Sequence, residues 1–176
     1  MVAVYKCAGG LEGSLGSCLV AAKGEKSKTY PAGMWRELVE RFYSDHEFRA
    51  GASDAVLADA ERGLGAQLPA DLRGMLAESD GVYGDFGLDL MWPISRIVED
   101  NLRFRTGTVF GDAFMPFDPL LFGGAGNGDM FAFPLVVGPV ANDNVFAWNH
   151  EDDSRTWVAP DLSHYLEWWS DGRIKT

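Results

Sequence analysis

Three groups of residues have side chains and spacing suited to chemistry, and each suggests a different kind of site. Asp85 and Asp89 are two carboxylates four residues apart, which could act as an acid–base pair. His150 begins the acidic run Glu151-Asp152-Asp153, whose oxygens could bind a cation. The glycine-rich stretch at 123–128 could cradle a phosphate.

The rest of the sequence completes none of these sites. A phosphate loop needs a following helix and a lysine, whereas a strand pattern follows residue 128 and the next basic residue is Arg155. We therefore predict a glycine-rich hairpin there. The acidic run after His150 is predicted to be a solvated turn between strands. The three histidines lack the i, i+4 spacing of a helical metal site, and no cysteine lies near them.

Nucleophilic and acid–base catalysis also lack support in the sequence. No G-x-S-x-G motif occurs, and neither Cys7 nor Cys18 has the setting of a nucleophile. Residues 34–176 contain 24 carboxylates, so one acidic pair such as Asp85 and Asp89 can arise by coincidence. We predict a protein that is not an enzyme and that needs neither cofactor nor metal. An unrecognised hydrolase is the minor alternative.

The charge of the chain bears on its partners. Fifteen Lys and Arg side chains stand against 26 Asp and Glu, a net charge of −11, and residues 34–176 alone carry −13. Such a surface gains nothing from phosphate contacts, so we expect neither nucleic acid nor a membrane as partner. A basic protein would be attracted to it. Both cysteines lie in the first 20 residues, which disfavours a disulfide-stapled secreted fold and favours the cytoplasm.

The chain divides at about residue 33. Residues 1–33 carry four Lys and two Glu, contain six Gly and show no helical apolar pattern. We predict that they are a leader, either disordered or the product of an over-long start with Met34 as the true initiator. Residues 34–176 are predicted to be the folded domain.

Apolar spacing in this domain predicts five helices. The first covers 35–48, the second follows Ser53 as N-cap, Pro69 and Pro93 open the third and fourth, and the last covers 162–169. Their predicted buried positions are Trp35, Leu38, Val39, Phe42; Val56, Leu57, Ala60, Leu64; Leu72, Met75, Leu76; Ile94, Ile97, Val98, Leu102; and Leu162, Tyr165, Leu166, Trp169.

Short apolar runs between turn residues predict the strands. They are 88–92, 114–117, 120–122, 130–137, 145–148 and 156–158. Asn127-Gly128 fits a tight hairpin turn, while Pro134 predicts either a shortened strand or a sheet edge. The order predicts an α+β fold with N-terminal helices, a largely antiparallel meander sheet and a closing C-terminal helix.

Three stretches in this order resemble the SUKH superfamily, which includes the Smi/Knr-type fungal cell-wall regulators and many bacterial toxin-immunity proteins. The first is AERGLGAQLPADL at 60–72 with Met75-Leu76 and Asp80-Gly81 after it. The second is Leu121-Phe122-Gly123 with Gly126-Asn127-Gly128-Asp129. The third is VFAWNHE at 145–151, then Trp157-Val158-Ala159 and the last helix through Leu166. The resemblance covers about residues 35–172.

The resemblance implies a single SUKH-like domain without catalytic residues that binds another protein. It implies an immunity protein that neutralises a partner toxin, and the acidic body suits a basic, nuclease-type toxin. The alternative is a regulatory or scaffolding domain of the Smi/Knr type with a cellular protein as partner. The sequence leaves the oligomeric state open. The candidate partner-binding residues are Asp85, Asp89, Glu151, Asp152, Asp153 and Trp168.

Overall fold

The computed structural model describes residues 31–106, 119–134 and 143–176. Within them the chain forms five helices: α1 Met34–Phe42, α2 Asp54–Leu64, α3 Ala70–Glu78, α4 Ile94–Arg105 and α5 Leu162–Ser170. The strands are β1 Glu47–Phe48, β2 Val82–Tyr83, β3 Asp89–Met91, β4 Pro119–Gly124, β5 Met130–Pro134, β6 Val145–Trp148 and β7 Arg155–Ala159.

Two antiparallel sheets organise the described residues. One has the order β1-β2-β3, and the other is a meander of order β4-β5-β6-β7. The two sheets meet where the Trp92 amide donates to the Phe122 carbonyl oxygen at 2.8 Å, just after β3. Helix α5 packs on the meander through Tyr165, whose ring lies edge-to-face against Phe122 and Phe131. The predicted α+β fold is therefore confirmed, including the closing helix.

The first helix ends six residues earlier than predicted. It ends at Phe42, and Tyr43 turns extended so that its buried hydroxyl donates to the Leu166 carbonyl at 2.8 Å. Phe48, the predicted last residue of this helix, instead pairs with Val82 in the small sheet. Two-residue strands such as β1 and β2 are too short to show an alternating pattern, so the sequence did not predict them.

Most of the helix positions predicted to be buried are buried, but Val56 and Leu102 are exposed. Ser53 caps α2 by accepting from the Val56 amide at 3.4 Å, but the Val56 side chain is 46% exposed. It sits one residue before Leu57, about 100° around the helix from the buried face. Leu102 on α4 is 40% exposed for the same reason, because the neighbouring Asn101 faces the core.

Asn101 is fully buried, and its side chain bonds both the backbone amide and the backbone carbonyl of one β4 residue, as a paired strand would. Its side-chain amide donates to the Leu121 carbonyl at 2.8 Å, and its Oδ1 accepts from the Leu121 amide at 2.9 Å. It also donates to the Ile97 carbonyl within α4 at 2.7 Å. A polar side chain thus joins α4 to the large sheet inside an apolar core, with its amide groups satisfied.

The strand predictions hold wherever the structure describes them. The hairpin at Asn127-Gly128 joins β4 to β5, and β6 matches its predicted bounds. The strand at 114–117 and residues 135–137 of another lie outside the described residues. Pro134 pairs with Pro119 of β4 at the last described position of β5, beyond the residues of β5 that pair with β6.

Candidate protein-binding surface

A clasp between two hairpin turns forms one end of the meander sheet. Asp129, in the β4–β5 turn, accepts from the backbone amide of His150 at 3.3 Å and lies 2.9 Å from its ring nitrogen Nδ1. Gly128 lies directly against the His150 ring, because a Cβ there would fall 2.7 Å from Cε1. Gly128 also has a φ of +106°, which other residues rarely adopt. The Gly-Asp pair therefore serves to hold the two turns together.

The Asp129 carboxylate is nearly buried yet stays ionised through its hydrogen bonds. Burial alone would raise the pKa of Asp129, but the bonds from His150 and from Asn127 Nδ2 outweigh it and hold the pKa below its ordinary value. A lowered pKa in the folded state means that the carboxylate stabilises the fold only while it is ionised. The clasp is thus sensitive to acid.

We expect Asp129→Asn to destabilise the protein by about 1–2 kcal/mol at neutral pH, because a charge-assisted hydrogen bond is lost from a nearly buried site. The contribution of the carboxylate is complete well above the ordinary carboxyl pKa of about 4, and it is lost as pH falls from there through the lowered pKa of Asp129 in the folded state. Urea unfolding of both proteins from pH 7 to pH 3 measures this. The difference between them should shrink with acid. A stability difference between wild type and Asp129→Asn that stays constant with pH would contradict this role of the ionised carboxylate. An equal loss of stability in the control Glu151→Gln would contradict it too.

Asp80, Gly81 and Glu61, which belong to the first stretch that resembles the family, also stabilise the fold. Asp80 Oδ1 accepts from the Ile94 amide at 2.7 Å, which caps α4, whose own N-cap is Pro93. Gly81 has a φ of +95° and packs closely on Pro93. Glu61 Oε1 accepts from the Leu68 amide at 3.1 Å and so fixes the loop between α2 and α3.

Asp85 and Asp89 lie around the short turn at 85–87 and have different partners. Asp85 Oδ1 accepts from the Asp45 amide at 2.8 Å, in the loop between α1 and β1. Asp89 forms an ion pair with Arg96 of α4. Beside Asp85 is an open polar depression of about 300 Å³, lined by Asp45, His46, Glu47, Tyr83, Gly84 and Gly87.

The acidic run after His150 divides into exposed and buried carboxylates. Glu151 and Asp152 are exposed in the β6–β7 turn, and Asp152 Oδ1 accepts from the Ser154 amide at 2.9 Å. The Asp153 side chain is only 8% exposed, since it accepts from the Trp148 indole at 2.7 Å and pairs with Arg155. Asp153 therefore supports the turn and presents little surface to a partner.

Trp168 lies half-buried on α5 within a group of aromatic and charged side chains. Its ring lies edge-to-face against Trp157 at 6.1 Å and against His164 at 5.5 Å. The Arg173 guanidinium covers it at 5.1 Å, while Arg173 itself pairs with Glu167 and Asp171.

Contacts through the β4–β5 turn bring the two acidic loops to one end of the molecule. A Cβ on Gly126 would lie 2.9 Å from Leu88, so the loop at 85–89 adjoins this turn. On its other side the turn is joined to the Glu151–Asp152 loop by the His150 clasp. Asn127 Nδ2 also reaches Thr176 Oγ1 at 3.3 Å, which brings in the C-terminal segment after Trp168. Five of the six candidate residues flank this turn, and Trp168 lies one helix away.

A comparison with protein families decides the classification. A model of the SMI1 / KNR4 family (SUKH-1) matches residues 51–168, two thirds of the chain and most of both sheets. This chain belongs to the SMI1 / KNR4 family. The resemblance read from the sequence is confirmed, and its three motif stretches all lie inside the matched range. No curated protein matches the chain.

The SMI1 / KNR4 match begins after α1 and β1, so these two elements lie before it. Membership is consistent with a protein-binding domain of the immunity type or of the Smi/Knr type. Within residues 31–106, 119–134 and 143–176, no group of three or more His, Cys, Asp or Glu side chains is arranged to hold a metal ion. In the same ranges no helix is long and apolar enough to cross a bilayer.

Sequence reasoning missed Trp157, the most exposed of the large apolar side chains that the structure describes as exposed. The signal was present, because Trp157 stands in a short strand beside polar Thr156 and Arg155 at the last strand of a meander. An edge strand covered on one face leaves alternate side chains in solvent.

Proposed function

We propose that this SMI1 / KNR4 family domain is an immunity protein that acts in the cytoplasm by binding and blocking a basic toxin domain, without catalysis. The observation that carries the proposal is the family match over 51–168 together with a body of net charge −13. A nuclease-type toxin must attract phosphates, so its own surface is cationic and complements this one.

Several carboxylates are available for such contacts. Within the described residues these side chains make no hydrogen bond or ion pair. Four lie in the segment from α1 to β1, one on α4 and one in the β6–β7 turn: Glu37, Glu40, Asp45, Glu47, Glu99 and Glu151. Asp85 and Asp152 stand beside them with only backbone or hydroxyl donors as partners. We propose Asp85, Glu151, Asp152 and Trp168 as partner contacts. Asp89 and Asp153 act indirectly, by fixing the loops.

We expect the association of this domain with its toxin to slow by about 10–100-fold between 50 and 500 mM salt, because steering between opposite charges is screened. The dissociation rate should change much less. Stopped-flow mixing at four salt concentrations measures both rates. The double variant Glu151→Gln/Asp152→Asn should reduce the salt dependence more than Glu99→Gln. A salt-independent association rate would contradict charge steering.

The proposed function is tested by co-expression with a toxin encoded beside the gene of this chain. Cells that produce both proteins should grow, and cells that produce the toxin alone should not. Failure of a correctly folded chain to protect the cells would contradict the immunity function. Specific recovery of signalling or envelope-synthesis proteins with the chain would favour the regulatory alternative.

A further inference from the structure

Trp157 stands out among the exposed apolar side chains. The large hydrophobic side chains that are exposed within the described residues are Val56, Leu102 and Trp157, and Trp157 is 49% exposed. Val56 and Leu102 lie on separate helices, whereas the Trp157 ring contacts a second indole, that of Trp168. Trp157 is therefore the most exposed member of a cluster of aromatic rings that also contains Trp168 and His164.

The surrounding residues hold this indole in one orientation. Its Nε1 donates to Asn144 Oδ1 at 3.1 Å, and its ring lies edge-to-face against Trp168. Trp168 is itself fixed between His164 and Arg173. A side chain that is ordered before binding loses little conformational entropy on binding, which is the property of interface anchors.

The charges around Trp157 select the partner. Residues 143–176 contain seven carboxylates and three Lys or Arg side chains. Arg173 already covers Trp168, but within the described residues no Arg or Lys covers the Trp157 ring. An exposed indole on a chain of net charge −11 is a favourable site for a cation, and arginine is the cation that stacks best on it.

We propose that Trp157 is the anchor of the partner interface and that an arginine of a basic protein partner stacks on its exposed face. The proposal rests on the proposed function, since it names the point at which the partner is held. Trp168, held by His164 and Arg173, positions the Trp157 indole, and the net negative charge of the chain draws the basic partner to it.

A hexa-arginine peptide serves as the probe, titrated into the full chain labelled with ¹⁵N at the tryptophan indoles. The Trp157 signal is identified by its loss in Trp157→Phe. It should shift most, while the buried indoles of Trp35, Trp92 and Trp148 stay unchanged. Trp157→Ala should weaken peptide binding about two- to fivefold, as expected for an exposed cation–π contact. The control Leu102→Ala should leave binding unchanged, and Trp157→Phe should retain part of it.

Equal peptide binding by the wild type and Trp157→Ala would overturn the proposal, because the attraction would then be charge alone. Larger shifts at any other indole would also overturn it. Thermal unfolding of each variant separates these outcomes from loss of the fold. Protection from the toxin is measured separately, so the anchor can fail while the immunity function stands.

Discussion

Asn101→Ala is expected to lower the free energy of unfolding by about 3 kcal/mol, because it leaves both backbone groups of Leu121 without partners in the core. Leu121 and Asn101 are both fully buried, so water cannot replace the lost bonds at no cost. Urea unfolding followed by tryptophan fluorescence measures the change. The effect should be largest where β4 joins α4, which amide exchange at Leu121 would report.

Two variants separate this role from general damage to α4. Leu102→Ala, on the exposed side of the same helix, should cost less than about 1 kcal/mol. Asn101→Asp keeps an acceptor for the Leu121 amide but removes both donors and buries a carboxyl group, so it should be as damaging as alanine or worse. An Asn101→Ala protein as stable as Leu102→Ala would contradict the assigned role.

Glu78→Ala is expected to cost about 2–3 kcal/mol by removing the cap of α1. The helix begins after Gly33, which has no side chain to cap it, and the Glu78 carboxylate supplies the acceptor from the end of α3. It accepts from the amides of Gly33, Trp35 and Arg36 at 3.0–3.1 Å. A negative charge at a helix N-terminus also interacts favourably with the helix dipole.

Hydrogen exchange, which shows which element loses protection, tests the role of Glu78 more specifically than the total loss of stability does. Hydrogen exchange should accelerate in α1 before it does in the meander sheet, because α1 is held at its N-terminus by this side chain. Glu78→Gln keeps the size of the side chain and one acceptor, so it should recover part of the loss. Glu37→Ala, an exposed change within α1, is the matched control. Uniform exchange throughout the chain in Glu78→Ala would contradict the capping role.

Local signals in the sequence predicted the elements that local forces determine. Ser53 predicted the start of α2, and the spacing of Leu162, Tyr165 and Leu166 predicted α5 and its buried face. Asn127-Gly128 predicted the hairpin because a tight turn requires a residue with positive φ. These features depend on residues within a few positions of one another.

The features that escaped prediction depend on residues far apart in the chain. Glu78 caps a helix that begins more than 40 residues earlier, and Asn101 binds a strand 20 residues later. Asp153 reads as part of a solvated acidic run but is buried by its bond to the Trp148 indole. No pattern of hydrophobicity encodes such pairings, since each becomes visible only when the fold brings the partners together.

The central claim is that this SMI1 / KNR4 domain acts by stoichiometric binding. The most direct test measures the activity of a purified candidate toxin domain as increasing amounts of the chain are added. The account predicts a linear loss of activity that ends near one chain per toxin. Unchanged toxin activity at a large molar excess of folded chain would contradict the claim. So would complete, irreversible inactivation by a small fraction of one equivalent, because that result requires catalysis.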